Sequence, residues 1–331
     1  MLQPAILTDW TTSAWRSEAV AWIDASLARL GRHRIGAVEQ PHVRPWSTVM
    51  HLPTDTGVLY FKAVAPAAAH EIALTVALAR WCPDVMPPVL AADEARGWLL
   101  LPDGGPRLRE IIRADRDLGH WERLLPLYAE VQIDLVDRVT DLLSFGTPDR
   151  RLDRLPALYE ALLADESALR VGQEPGLTSG EYDRLRADAP YFAALCHELA
   201  SYGIPASLHH GDLHDGNIFA RDGAYRFFDW GDSVVGHPFF SLRTVGVSLE
   251  MSLDLPENAP EFQRLVDAYL EPWTRVAPLS ALRAAYPLAH RVGVVNGALT
   301  WQAAIGALPA PLREEYAAPV PSLLQEYLGM A

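Results

Sequence analysis

Apolar residues recur at helical spacing over residues 12–30 (Trp15, Val20, Trp22, Ile23, Leu27), so an amphipathic helix is predicted near the start of the chain. From His42 the period changes. Residues 47–52 read as a strand, Pro53-Thr54-Asp55-Thr56-Gly57 as a turn, and 58–64 as a second strand. An Ala- and Leu-rich helix is predicted over 67–81, followed by a strand pair at 89–92 and 97–101. Pro102-Asp103-Gly104-Gly105-Pro106 is the strongest group of breakers and predicts a hinge, dividing the chain into domains 1–103 and 104–331. Past it the period is helical over 107–114, 118–143, 152–164 and 179–202, and again to the C-terminus. A non-helical island at 207–238 interrupts this run. The expected class is α+β: a small β-rich N-lobe with an N-terminal helix, then a larger, mostly helical C-lobe.

Composition narrows the choice of chemistry. The 331 residues are 50% hydrophobic and 21% charged, as in a globular enzyme, with a net charge of -14. Such acidity argues against a nucleic-acid partner held by the overall field and against an anionic membrane surface. Cys82 and Cys196 are the only cysteines and lie far apart, which excludes a disulfide framework or zinc ribbon and suits a cytoplasmic location. Residues 1–10 lack a basic region followed by an apolar core, so no signal peptide is expected. Residues 292–312 carry no formal charge but include Asn296, Thr300 and Gln302; a buried helix followed by a break is expected there. The 28 basic residues are 27 Arg and a single lysine, Lys62, which asks what task at position 62 an arginine would not serve.

The island holds a dense polar set. It runs His209-His210-Gly211-Asp212-Leu213-His214-Asp215-Gly216-Asn217 and continues to Asp229-Trp230-Gly231-Asp232. Phosphoryl transfer needs a carboxylate near the attacking hydroxyl and oxygen ligands that hold magnesium against nucleotide phosphates. Asp212, an Asn five residues on, and Asp229 after a following strand supply that set.

His210-x-Asp212-x4-Asn217 followed by Asp229-Trp230-Gly231 resembles the catalytic and metal-binding segments of the aminoglycoside phosphotransferase and choline kinase family. These are small-molecule kinases with a protein-kinase-like fold. The likeness continues through Gly236-His237-Pro238, and Leu99-Leu100-Leu101-Pro102-Asp103 is similar to the family's hinge; in order, it covers about residues 40–310. The resemblance implies that Asp212 is the base or orients the acceptor hydroxyl, and that Asn217 and Asp229 hold Mg2+. It also implies that the hinge around Leu99, Leu101 and Asp103 meets the base of ATP or GTP, and that His210 braces the loop. The family pattern places a lysine at the end of such a strand, reaching the nucleotide phosphates and held by a helix glutamate. Lys62 fits, and Glu71 is the only acid between Asp55 and Asp84, on a helical stripe with Leu74, Thr75 and Leu78. A buried carboxylate needs a counter-ion, and Lys62 is the obvious one.

The chain departs from the pattern in two places. No Gly-x-Gly-x-x-Gly precedes Lys62; Ser47 and Thr48 stand where a loop would cover the phosphates. Ser241 replaces an aspartate that supports the loop in the family, so a less rigid loop is expected. Asp215 and Asp232 read as solvated loop acids, and His209 and His214 as structural. The acceptor is expected to be a hydroxylated small molecule bound in the helical lobe, cationic amines among the candidates. Asp254, Glu257, Glu261, Trp273, Tyr286, His290 and Trp301 could contribute, although a solvated acidic face with core aromatics explains them more simply. Two other classes compete: a pseudokinase-like nucleotide-binding regulator without turnover, and a metal-dependent hydrolase built on His209, His210, Asp212 and His214.

Overall fold

The computed structural model describes residues 8–330. The expectation of no signal peptide falls mainly on residues 1–7, which lie outside the described residues. The chain divides into two compact units: Met1–Pro106 with Phe219–Gly231, and Arg107–Ile218 with Asp232–Ala331.

The first unit begins with α1 (Ser13–Arg29), capped by Thr12, whose hydroxyl accepts from the Trp15 amide. There follow β1 (Glu39–Val43), β2 (Ser47–Thr54), β3 (Gly57–Val64), α2 (His70–Trp81), β4 (Ala91–Asp93) and β5 (Trp98–Pro102). The five strands form an antiparallel sheet in the order β1-β2-β3-β5-β4. Met50, Leu52, Leu59, Phe61 and Ala63 share the face covered by Ile23 and Leu27 of α1. Lys62 therefore projects from the opposite face, where Val64, Ile72 of α2 and Leu99 cluster. A slip of one residue would exchange Lys62 with a core position, so the burial of Phe61 fixes where the lysine points. β1 has no alternation and contains Pro41, and the sequence gives no strand signal there; proline is tolerated because the strand lies at the sheet edge.

The chain continues through α3 (Leu108–Asp115), α4 (Gly119–Asp134), α5 (Val139–Ser144), α6 (Leu155–Leu163), α7 (Glu166–Leu169), α8 (Ser179–Ser201) and β6 (Ser207–His209). The hairpin β7 (Ile218–Arg221) and β8 (Ala224–Phe227) comes next, then β9 (Val234–Gly236), which pairs with β6. From Phe219 the hairpin belongs to the first unit, where Ala220 N–H donates to Pro106 O and Phe227 N–H to Val85 O. Helices α9 (Ser241–Leu253), α10 (Pro260–Leu270), α11 (Leu279–Gly306), α12 (Ala310–Glu315) and α13 (Pro319–Gly329) complete the fold.

The single helix expected over 118–143 is broken: α4 ends at Asp134, a 3-10 turn spans Val136–Arg138, and α5 follows. Near that break the Ser207 hydroxyl takes the Gln132 carbonyl at 2.5 Å, an acceptor that a continuing helix would use for itself. In α11 a stripe of Leu282, Ala285, Ala289, Val292 and Val295 is buried, and the helix stops at Gly306 ahead of Pro309. The uncharged stretch at 292–312 is thus a core helix followed by a break. Among the described residues no helix is long and apolar enough to cross a membrane.

Candidate active site

In the first unit, Lys62 Nζ lies 2.5 Å from Glu71 Oε1 and 2.6 Å from Asp229 Oδ1. Strand β3 supplies the lysine, the first turn of α2 the glutamate, and the segment after the β7–β8 hairpin the aspartate. Glu71 is only 3% exposed, so its charge depends on Lys62. Burial alone would push the ammonium down, but the Asp229 and Glu71 carboxylates outweigh it and hold Lys62 above its ordinary range. Burial pushes the Glu71 carboxyl up; Lys62 opposes this, while the Asp229 charge adds to it. Asp229 has φ +68°, a left-handed conformation that Asp tolerates better than most residues. The His70 side chain bonds the Gly231 backbone, and burial lowers its pKa.

The residues expected to form the hinge pair with β3 or follow it along the sheet. Leu99 pairs with Lys62 and Leu101 with Tyr60 in the β3–β5 register. Leu99 is buried, whereas Asp103 is exposed: its carboxylate accepts from Gly105 N–H at 3.1 Å and from Arg221 at 3.3 Å.

The second unit holds the loop after β6. Gly211 has φ +81°, and a Cβ there would stand 2.1 Å from the Asp232 carbonyl oxygen, so only glycine fits. His210 is fully buried; its N–H donates to the Tyr128 hydroxyl at 3.1 Å and its Nδ1 accepts from the Asp212 N–H at 3.3 Å. It braces the loop. Asn217 Nδ2 donates to the Asp212 main-chain carbonyl and to its Oδ2, both at 3.0 Å, which orients the amide so that only Oδ1 could accept a cation. His214 Nε2 stands 3.2 Å from the same Asp212 Oδ2.

Two expectations need correction here. Asp215 is not a solvated acid: it is fully buried, accepts from Arg109 Nε at 2.6 Å and from the Ser252 hydroxyl at 2.5 Å, and its N–H donates to Ser248. Arg109 comes from α3, 106 residues earlier, a separation over which sequence spacing carries no signal. Asp232 is exposed. Ser241 is not a loose substitute either. Its buried hydroxyl meets Tyr128 at 2.9 Å and His209 Nδ1 at 2.8 Å, with Gln132 and Tyr269 extending the network. Burial, and then His210, push the His209 pKa down to about 3, so it serves as a neutral hydrogen-bonding group.

The residues considered for the acceptor separate. Trp273 is in the core, Asp254 is 88% exposed in its side chain, and Glu261 lies near Arg264 on the surface. Glu257, Tyr286 and His290 instead line one cavity of about 430 Å³, with His290 Nε2 3.4 Å from Glu257. Among the described residues no group of three or more His, Cys, Asp or Glu side chains is placed to hold a metal ion. Oxygen donors such as Asp229 and Asn217 suit magnesium, which keeps its remaining positions for water and substrate phosphates.

A model of the phosphotransferase enzyme family matches residues 89–279, more than half of the chain. The chain belongs to that family. The matched span includes Asp212, Asn217 and Asp229 and begins after Lys62 and Glu71, so the lysine–glutamate pair is an observation separate from the match. Solved phosphotransferase structures share the fold. A choline/ethanolamine kinase family protein from Mesorhizobium loti is 19% identical with a TM-score of 0.60, covering 94% of this chain and 95% of that one. A macrolide 2'-phosphotransferase from Brachybacterium faecium is 18% identical with a TM-score of 0.57, covering 90% and 97%. The ADP-bound aminoglycoside phosphotransferase APH(2'')-Ib is 15% identical with a TM-score of 0.60, covering 95% and 98%. No curated protein sequence matches the chain.

Proposed function

We propose that this phosphotransferase moves the γ-phosphoryl group of ATP or GTP to a hydroxyl of a small molecule. The observation that carries the reading is Lys62 Nζ within 2.6 Å of both Glu71 and Asp229, because it joins the lone lysine to the segment expected to bind metal. In this reading Lys62 meets the nucleotide phosphates, Glu71 holds it, and the hinge around Leu99, Leu101 and Asp103 borders the base. Asp212 orients the acceptor hydroxyl and takes its proton as the O–P bond forms. Asn217 Oδ1 and the Asp229 carboxylate are the groups that would hold magnesium. When bound, magnesium neutralises charge on the phosphates being separated. In a chain of net charge -14, Lys62 together with bound magnesium would offset the charge of a polyphosphate.

The test is nucleotide consumption by the purified protein with magnesium over a panel of acceptors: aminoglycosides, macrolides, choline and ethanolamine, sugars and hydroxylated amino acids. Phosphate transfer that is lost in Asp212→Asn and in Lys62→Ala, with both variants folded, supports the reading. Full activity in both variants would sink it. Nucleotide binding without turnover on any acceptor would favour the regulator instead.

A further inference from the structure

The imidazole of His214 faces two donors on one side. Gly216 N–H donates to Nδ1 at 2.9 Å, and Arg109 Nη2 lies 3.2 Å from the same atom. Neither a backbone amide nor a guanidinium can accept, so Nδ1 is the acceptor and carries no proton. A neutral imidazole then bears its hydrogen on Nε2, which stands 3.2 Å from Asp212 Oδ2. Arg109 is fixed in turn by buried Asp215, which the Ser252 hydroxyl and the Ser248 Oγ hold at side chain and main chain. The chain of contacts runs from α9 through Asp215, Arg109 and His214 to Asp212.

We infer that His214 is a positioning residue, locked as its Nε2–H tautomer and donating to Asp212 Oδ2. Asn217 Nδ2 donates to the same oxygen at 3.0 Å. Two donors on one carboxylate oxygen restrain rotation about Cβ–Cγ, so the other oxygen keeps a constant direction toward the acceptor hydroxyl. His214 takes no proton from the substrate; it acts through Asp212. The kinetic consequence rests on the phosphotransfer reading, whereas the tautomer does not.

The experiment has two arms. Long-range proton–nitrogen correlation on protein labelled with 15N-histidine, with His214 assigned by its loss in His214→Gln, reads the tautomer without turnover. The expected result is a protonated Nε2 and a bare Nδ1; a protonated Nδ1, or a mixture of tautomers, overturns the inference. In the second arm His214→Gln, His214→Asn and His214→Phe are compared at saturating magnesium-ATP with an acceptor from the panel. Glutamine places its amide N–H near the position of Nε2 and asparagine near that of Nδ1. His214→Gln should keep kcat within a few-fold, and the other two should lower it about 10- to 100-fold with the nucleotide KM unchanged. Phenylalanine matching glutamine would reduce His214 to a packing role and overturn the inference. An inactive parent protein would count against the phosphotransfer reading alone, with the tautomer still deciding this one.

Discussion

Lys62 Nζ and Asp229 Oδ1 are 2.6 Å apart although 167 residues separate them in the chain. Glu71 shares the same ammonium, so one cation serves two carboxylates, one buried and one half exposed. That arrangement answers the question raised by a chain with 27 arginines and one lysine. An ammonium is a compact charge with three donors, able to meet two carboxylates converging on one point, whereas a guanidinium fork needs a flat, wider approach.

Replacing Lys62 with methionine leaves Glu71 buried without its counter-ion, and should cost about 3–5 kcal/mol of stability by urea unfolding. The double variant Lys62→Met/Glu71→Leu should recover most of this loss while phosphate transfer stays abolished. If the double variant is no more stable than the single one, the pair is not what holds this part of the unit together.

Gly211→Ala should impair both fold and turnover. The added methyl would meet the Asp232 carbonyl oxygen at 2.1 Å in a backbone conformation that alanine disfavours. A loss of at least about 1 kcal/mol is expected from the conformation alone, and the displaced loop carries Asp212. A variant with unchanged melting temperature and unchanged kcat would contradict the loop geometry.

Acid should destabilise the protein well above the carboxylate range. Burial pushes the pKa values of both His209 and His237 down to about 3, against an ordinary value of about 6.5 in an unfolded chain. Between those values the unfolded state binds more protons, so stability is complete above about pH 6.5 and falls as pH falls toward 3. Unfolding free energy should drop by about 1–2 kcal/mol per buried histidine between pH 7 and pH 5. His237→Gln should flatten the profile; a parent protein equally stable at pH 7 and pH 5 would show that these imidazoles are not kept neutral.

The legible parts of the molecule were those with a strong local signal. The β2–β3 hairpin, α2 and the Asp212-x4-Asn217 spacing follow from alternation, turn residues and motif spacing. Glu71 could be paired with Lys62 because it was isolated among apolar residues on an inward stripe. Asp215 looks solvated in the sequence because loop acids usually are, and the residue that neutralises it lies on α3. Ser241 is deceptive for a related reason: a short hydroxyl in place of a carboxylate looks weaker, but Tyr128 and His209 converge on it. The role of His214 depends on which donors face which ring nitrogen, and spacing along a chain does not encode that.

The two rings Phe219 and Phe228 stack with centroids 3.9 Å apart and an interplanar angle of 11°. Gly104 lies against the first of them, so closely that a Cβ would fall 2.2 Å from the ring. Gly104 therefore serves close approach to this ring. It also couples two positions far apart in sequence through one steric contact. A side chain at 104 fits only if residue 219 is smaller or turned away, so a substitution at 104 should be tolerated only together with one at 219.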